Sequence, residues 1–165
     1  MKEIKLTKGK TAIVDDEDYE YLNSFNWQAN KYCHSDKYRA MRKTTVGGKK
    51  VYLLMHRVIL CAKSGQKVDH KDGDGLNNRR SNIRIATTRQ NTANRITRNK
   101  LGYKGVIKGN NGRYRASIRD HRQKNMKYLG TFDDIEDAAR AYDNTAIEIF
   151  GEFAYLNFPD SENLA

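Results

Sequence analysis

No stretch of this 165-residue chain approaches the ~20 consecutive apolar residues that a membrane-spanning helix needs. Its first residues, Met1-Lys2-Glu3-Ile4-Lys5, lack the apolar centre of a secretory signal, and no lipidation pattern is present. These absences predict a protein made and kept in a cytoplasm. Cysteine is scarce: Cys33 and Cys61 are the two, and no Cys-x-x-Cys pair exists. That excludes a zinc ribbon or finger and predicts two reduced thiols, buried or inert. Cys33-His34 with His56 and Cys61 matches no structural zinc spacing either. Hydrophobic residues make up only 38%, lean for one large core but workable for small modules.

What the chain has in excess is positive charge. The net charge is +11, from 31 Lys and Arg against 20 Asp and Glu, which points first to a polyanionic partner. The charge is also uneven. Residues 1–53 carry a net +4, 54–100 a net +8, 101–130 a net +7 and 131–165 a net −8. The middle of the chain is where a phosphate backbone would lie, and the last segment should face away from it.

Residues 1–54 read as short strands with one helical turn. Glu3–Leu6 alternates, Lys8-Gly9-Lys10 turns, and Thr11–Val14 runs on. A helix begins at Asp15-Asp16, with Tyr19, Leu22 and Phe25 at helical spacing. Trp27–Ala29 and Tyr38–Arg42 pair, and Gly47-Gly48 turns into Lys50–Leu54. The aromatics here suit packing of a small sheet or stacking on bases. Met55–Lys63 reads as a helix that stops near Ser64-Gly65, with Val58, Ile59 and Ala62 on one face. His56 reads as an ordinary packed histidine, or as one that touches DNA or braces a site.

The densest chemistry lies between Lys67 and Asn91. Lys67–Asp69 reads as a strand, 71–82 as a loop rich in Gly, Asp and Asn, and Ile83–Ala86 as the returning strand. Thr87-Thr88 caps a helix through Asn91, Asn94 and Arg95. Phosphodiester hydrolysis needs a cation to neutralise charge, a base to take a proton from water, and something to hold both. Asp69 offers a carboxylate oxygen and Asn91 an amide oxygen, a set that suits Mg²⁺. His70 titrates near neutrality and is the natural base. Neighbours on a straight strand point to opposite faces, so Asp69 and His70 share a site only if the strand ends there. Asn82 could pin the loop backbone or orient His70.

These residues resemble a known family. Val68-Asp69-His70, Leu76-Asn77-Asn78, Ser81-Asn82-Ile83-Arg84 and Arg89-Gln90-Asn91 are similar to an HNH endonuclease of the phage and intron homing type, in which a preceding His56-Arg57 is also usual. The resemblance covers about residues 55–95. It implies a ββα-metal fold with His70 as general base, Asn82 as structural asparagine, and Asp69 with Asn91 as metal ligands. Asparagine at the last position, where histidine is common, favours a single Mg²⁺ or Mn²⁺ over zinc. Asn94, one turn on, is the alternative helix ligand. The same module could also be kept as a DNA-binding fold without activity.

After a basic connector over 92–102, with Arg95, Arg98 and Lys100, three strands are expected: Tyr103–Lys108, Arg113–Arg119 and Met126–Gly130. In the second, Arg113, Arg115, Ser117 and Arg119 share one face, and Tyr114, Ala116 and Ile118 the other. A helix follows from Asp134, which pairs with Asp137 as a cap. The tail Phe153–Pro159 should fold back along the module. Tyr103-Lys104-Gly105-Val106, Ala116–Arg119, Tyr128–Phe132, Ala138–Asp143 and Leu156–Pro159 resemble an APETALA-two/ethylene-response-factor DNA-binding domain. That family lays a three-stranded sheet in the major groove, which implies that Lys104, Ser117, Arg119 and Tyr128 approach DNA. Ile107, Asn111 and Ser117 depart from the plant pattern, so the plant target sequence does not carry over.

The whole predicts an α+β chain of three parts. These are a β-rich module over 1–54, a ββα-metal module with connector over 55–100, and a three-stranded sheet on one helix over 101–165. The expected function is a metal-dependent, site-directed DNA endonuclease of the homing type, acting as a monomer on double-stranded DNA in a bacterial or phage-infected cell and nicking it. A non-catalytic DNA-binding regulator and an RNA-binding protein are the competing readings.

Overall fold

A computed structural model describes residues 1–32, 36–96, 99–120 and 126–159. Cys33, His34 and Arg98 lie outside the described residues. The chain is α+β and forms two compact units, residues 1–87 and 88–165.

In the first unit, β1 (Lys2–Lys5) and β2 (Thr11–Val14) pair antiparallel. α1 (Asp16–Asn23) follows, with Asp16, Glu17 and Asp18 in its first turn, where the helix dipole favours acids. β3 (Gln28–Lys31), β4 (Tyr38–Val46) and β5 (Lys49–Leu54) form an antiparallel sheet in that order. α2 (Met55–Ile59) leads to the hairpin of β6 (Lys67–His70) and β7 (Ile83–Ala86). One core joins all of these: Ile4, Val14, Leu22, Trp27, Met55, Ile59 and Ile83 are buried together. The sole tryptophan also donates from Nε1 to Leu22 O at 2.8 Å.

α2 is shorter than its sequence suggests. It ends at Ile59, and Cys61 takes a left-handed φ of 47°, which breaks helical continuity. Its buried side is Met55, His56 and Ile59, whereas Val58 is only half-buried, so the expected Val58–Ile59–Ala62 face is displaced. Arg57 substitutes for the missing turns by donating to the carbonyls of Ala62, Lys63 and Gln66. Cys61 is exposed rather than buried.

In the second unit, α3 (Thr88–Ala93) precedes β8 (Val106–Lys108), β9 (Tyr114–Arg119) and β10 (Met126–Phe132). These strands form one antiparallel sheet with β9 central. α4 (Ile135–Phe150) backs the sheet. Its start is capped as the sequence suggests: the Asp134 carboxylate accepts from the N–H groups of Glu136 and Asp137. Small residues let α4 lie close, with Val106, Ala116, Ala138 and Ala139 all fully buried. Gly105 is required here, because at φ +77° a Cβ would sit 1.9 Å from the Tyr142 ring. The tail folds back: buried Asp143 accepts from the N–H groups of Asn157 and Phe158, each at 2.9 Å. No helix among the described residues is long and apolar enough to cross a membrane.

Candidate functional site

Strand β6 ends on Asp69 and His70, which are 4% and 7% exposed. Asp69 stands opposite Arg84 in the β6–β7 register, and Arg84 donates from Nε and Nη2 to Asp69 Oδ2, both at 3.0 Å. Asp69 is buried and Arg84 half-buried at this pair.

His70 meets Asn78 and His56. Its Nε2 lies 3.4 Å from Asn78 Oδ1, and its ring meets that of His56 edge-on, with centroids 4.9 Å apart and an interplanar angle of 88°. Burial pushes the His70 imidazole below its ordinary value, against the opposing pull of Asn78 and of the carboxylates of Asp72, Asp69 and Asp74. His56 is driven down further, to about 3, by burial and then by His70, Arg39 and Arg57. His56 Nδ1 is buried and has no hydrogen-bond partner among the described residues.

The loop between β6 and β7 is fixed by its own polar side chains. Asn82 donates from Nδ2 to Asp72 Oδ1 at 2.9 Å and to Asn77 O at 2.8 Å, and its Oδ1 accepts from Asp72 N at 3.2 Å. Asn77 donates to Asp72 Oδ2 at 2.6 Å. Burial alone would raise the Asp72 carboxyl, but these donors and the Asp74 N–H hold it below the ordinary carboxylate value. The sequence offered Asn82 as a loop residue but passed over Asp72, Asn77 and Asn78. The signal was the density of Asx residues, each able to bond the backbone near it.

Earlier segments of the same unit also hold this loop. The Ile13 N–H donates to Leu76 O at 2.9 Å, and the Asn78 N–H donates to Ile13 O at 2.8 Å. The Arg80 N–H donates to Asp15 at 2.7 Å, and its guanidinium pairs with Asp18 and Glu17. Lys37 Nζ donates to Gly73 O at 2.7 Å. At Gly75 a Cβ would lie 2.4 Å from the Tyr38 carbonyl oxygen, so only glycine fits.

Asn91 lies on α3 in the second unit and is half-buried, while Asn94 just beyond the helix is buried. α3 is fastened within that unit. Arg89 pairs with buried Asp120 at 2.8 Å and lies over the Phe150 ring. No group of three His, Cys, Asp or Glu among the described residues could hold a metal ion. Within the first unit, Asp69 offers a carboxylate oxygen, a donor type that fits a hard cation such as Mg²⁺ that keeps part of its water shell.

On the second unit's sheet, Arg115, Ser117 and Arg119 alternate with buried Ala116 and Ile118, so they share the face away from α4. Tyr128 stands opposite Ser117 in the register and is 60% exposed. Its hydroxyl meets Thr131 Oγ1 at 2.7 Å. Arg115 and Arg119 are exposed. Arg113 precedes β9 and pairs with Asp133 at 2.7 Å. Lys104 does not join this face. Its Nζ donates to the Ala93 carbonyl and lies 5.1 Å from the Tyr155 ring centroid, and burial pushes it down to about 8.

A family model described as HNH endonuclease matches residues 54–93. A protein of Acanthamoeba polyphaga mimivirus, named as an uncharacterized HNH endonuclease, is 31% identical over 153 residues, covering 91% of this chain and 76% of that protein. The C-terminal part is similar to plant transcription factors. Ethylene-responsive transcription factor 3 of Nicotiana tabacum is 49% identical over 59 residues, which span 36% of this chain and 26% of that protein. An ethylene-responsive transcription factor of Arabidopsis thaliana is 38% identical over 101 residues, 58% of this chain and 63% of that protein.

Proposed function

The chain belongs to the HNH endonuclease family, and from that membership we propose that it is a metal-dependent DNA endonuclease of the homing type, directed to its target by the C-terminal sheet. The observation that carries the reading is His70: a buried imidazole at the end of β6, depressed in basicity by burial, next to buried Asp69 in sequence and leading into a loop cross-braced by Asn82.

In this reading His70 takes the proton from the attacking water. Asp69 and Asn91 are the residues that would hold the cation, Mg²⁺ or Mn²⁺, with Asn94 as the alternative helix ligand. When bound, the cation neutralises charge on the phosphate and the leaving oxygen. Asn82 keeps the loop in register. Arg84 holds the Asp69 carboxylate in one orientation by its two hydrogen bonds. The exposed guanidinium groups of Arg115 and Arg119 suit guanine edges, while Ser117 and Tyr128 can bond bases or backbone. Arg113 contributes charge at the rim, while the Lys104 ammonium donates to the Ala93 carbonyl. One centre per chain, acting as a monomer, makes a nick the expected product.

A supercoiled plasmid carrying the target, incubated with Mg²⁺ or Mn²⁺, should relax to the nicked circle and stay supercoiled with EDTA. Binding without nicking would instead support a non-catalytic DNA-binding regulator, the reading favoured by the transcription-factor names of the plant relatives. Preferential binding to RNA over duplex DNA would overturn both.

A further inference from the structure

The outer face of the second unit's sheet is built in rows across its strands. Ile107, Arg115 and Thr131 are Cα partners in one row, and Arg119 stands opposite Met126 in another. Between these rows Ser117 stands opposite Tyr128. A bulge at Leu129 lets Tyr128 and Thr131 share this face although they are three residues apart, and their hydroxyls meet at 2.7 Å. None of the side chains in these rows is acidic. Ile107 and Met126 break the polar pattern: they are 44% and 47% exposed.

An isolated exposed apolar side chain calls for no partner. Here each stands directly opposite an exposed arginine, with Cβ atoms roughly 5 Å apart in such pairs. Arg115 and Arg119 are four positions apart on β9, which is about 13 Å of strand. That is several times the ~3.4 Å between successive bases, so the two pairs fall on separate base pairs. In the major groove an arginine finds its best match in O6 and N7 of guanine, and the one methyl group that a base presents there belongs to thymine. Any polar edge set against Ile107 or Met126 would lose its water without gaining a hydrogen bond.

We infer that Ile107 and Met126 are specificity-determining residues that read thymine methyls, each beside a guanine held by its partner arginine. The target then carries neighbouring guanine and thymine at two places. This rests on the reading of the sheet as the part that directs the chain to duplex DNA. The occupant of the face is the major groove, to which the net +7 of residues 101–130 is complementary.

The test uses the full-length chain with EDTA, so that binding is measured without cutting. Selection from a randomised duplex pool should recover a site with guanine beside thymine at two places. Deoxyuridine at either thymine removes only the methyl and should weaken binding about three- to fivefold, and roughly tenfold or more at both. Deoxyuridine at thymines elsewhere in the site should change nothing. Ile107→Ser should erase the dependence at one of the two thymines and Met126→Gln at the other, each variant keeping the dependence that belongs to the other residue. The deoxyuridine comparison on the unaltered chain stands even if a variant fails to fold. If Ile107 and Met126 only support the arginine stems, the variants bind more weakly but the unaltered chain ignores the methyl, and the inference is overturned. A preferred duplex that tolerates deoxyuridine everywhere sinks this inference alone. Recovery of no preferred duplex sinks the reading beneath it as well.

Discussion

The two units treat their polar side chains in opposite ways. Around the β6–β7 loop, Asp69, His70, Asn77, Asn78 and Asn82 are each at most 7% exposed, and each is bonded to a neighbour. On the sheet of the second unit, Arg115 and Arg119 stand exposed. On the proposed function, the difference follows from what each surface must do. A group that moves a proton must already be aimed, since reorienting it during the reaction adds to the barrier. A group that reads a base edge must keep its donors available until DNA supplies the acceptor. The second arrangement tolerates solvent, whereas the first needs a scaffold, and here the scaffold is the N-terminal half of the same unit.

The largest expected effect tests the first half of that contrast. His70→Ala should lower nicking by about 10²–10⁴-fold, the usual contribution of a general base. DNA affinity should stay nearly constant, because phosphate contacts elsewhere dominate it. Filter binding and plasmid nicking on the same preparation measure both. Equal loss of binding and cutting would break the contrast, since it would make the loop a binding surface.

A second effect concerns the buried histidine pair. The folded state holds His56 at about 3, well under the ordinary value of 6.5, so it stays neutral where the unfolded chain has already taken a proton. The contribution is complete above the unfolded pKa and is lost progressively as pH falls from there toward about 3. His56→Phe keeps a ring against His70 and removes this one titration. Between pH 6 and 4, wild-type stability should fall more steeply than that of the variant, by up to ~1.4 kcal/mol per pH unit. Trp27 is the sole tryptophan and is buried in the first unit's core, so its fluorescence in urea titrations reports the unit in question. Parallel slopes would show that His56 charges freely in the folded protein.

Much of this was legible in local pattern. The period-two alternation of β9, the Asp134 cap and the small-residue face of α4 are each determined by neighbours in sequence, and the resemblance placed Asp69, His70 and Asn82 on one hairpin. What the sequence could not show are pairings across distance. Nothing near Asp15 or Ile13 announces that they will hold Arg80 and Leu76. Nor does the string Asn77-Asn78 reveal which amide turns toward the histidine. Nor does the sequence around Lys104 announce that its ammonium will donate to the Ala93 carbonyl at the end of α3.

Arg119→Ala tests the reading face. Loss of an exposed guanidinium that pairs with a guanine should cost about 1–3 kcal/mol on the preferred site and much less on random sequence. Competition binding against a randomised duplex pool measures that ratio. An unchanged ratio would mean that another surface chooses the target.

Arg113→Ala should have the smallest effect, and it sharpens the comparison inside one module. Arg113 has the charge and the exposure of Arg119, but Nε already lies 2.7 Å from Asp133 Oδ1. DNA can recruit it only by breaking that pair or by accepting the pair whole, and an exposed ion pair is worth ~0–1 kcal/mol. Its removal also leaves Asp133 unpaired near the phosphates, which adds a small repulsion. The two effects together predict a loss of roughly two- to fivefold in affinity, equal on preferred and random DNA. The change should shrink as salt rises, because it is a charge effect without base readout. If Arg113→Ala instead lowered discrimination as much as Arg119→Ala, prior engagement would not separate readers from bystanders on this sheet, and exposure alone would be the better guide.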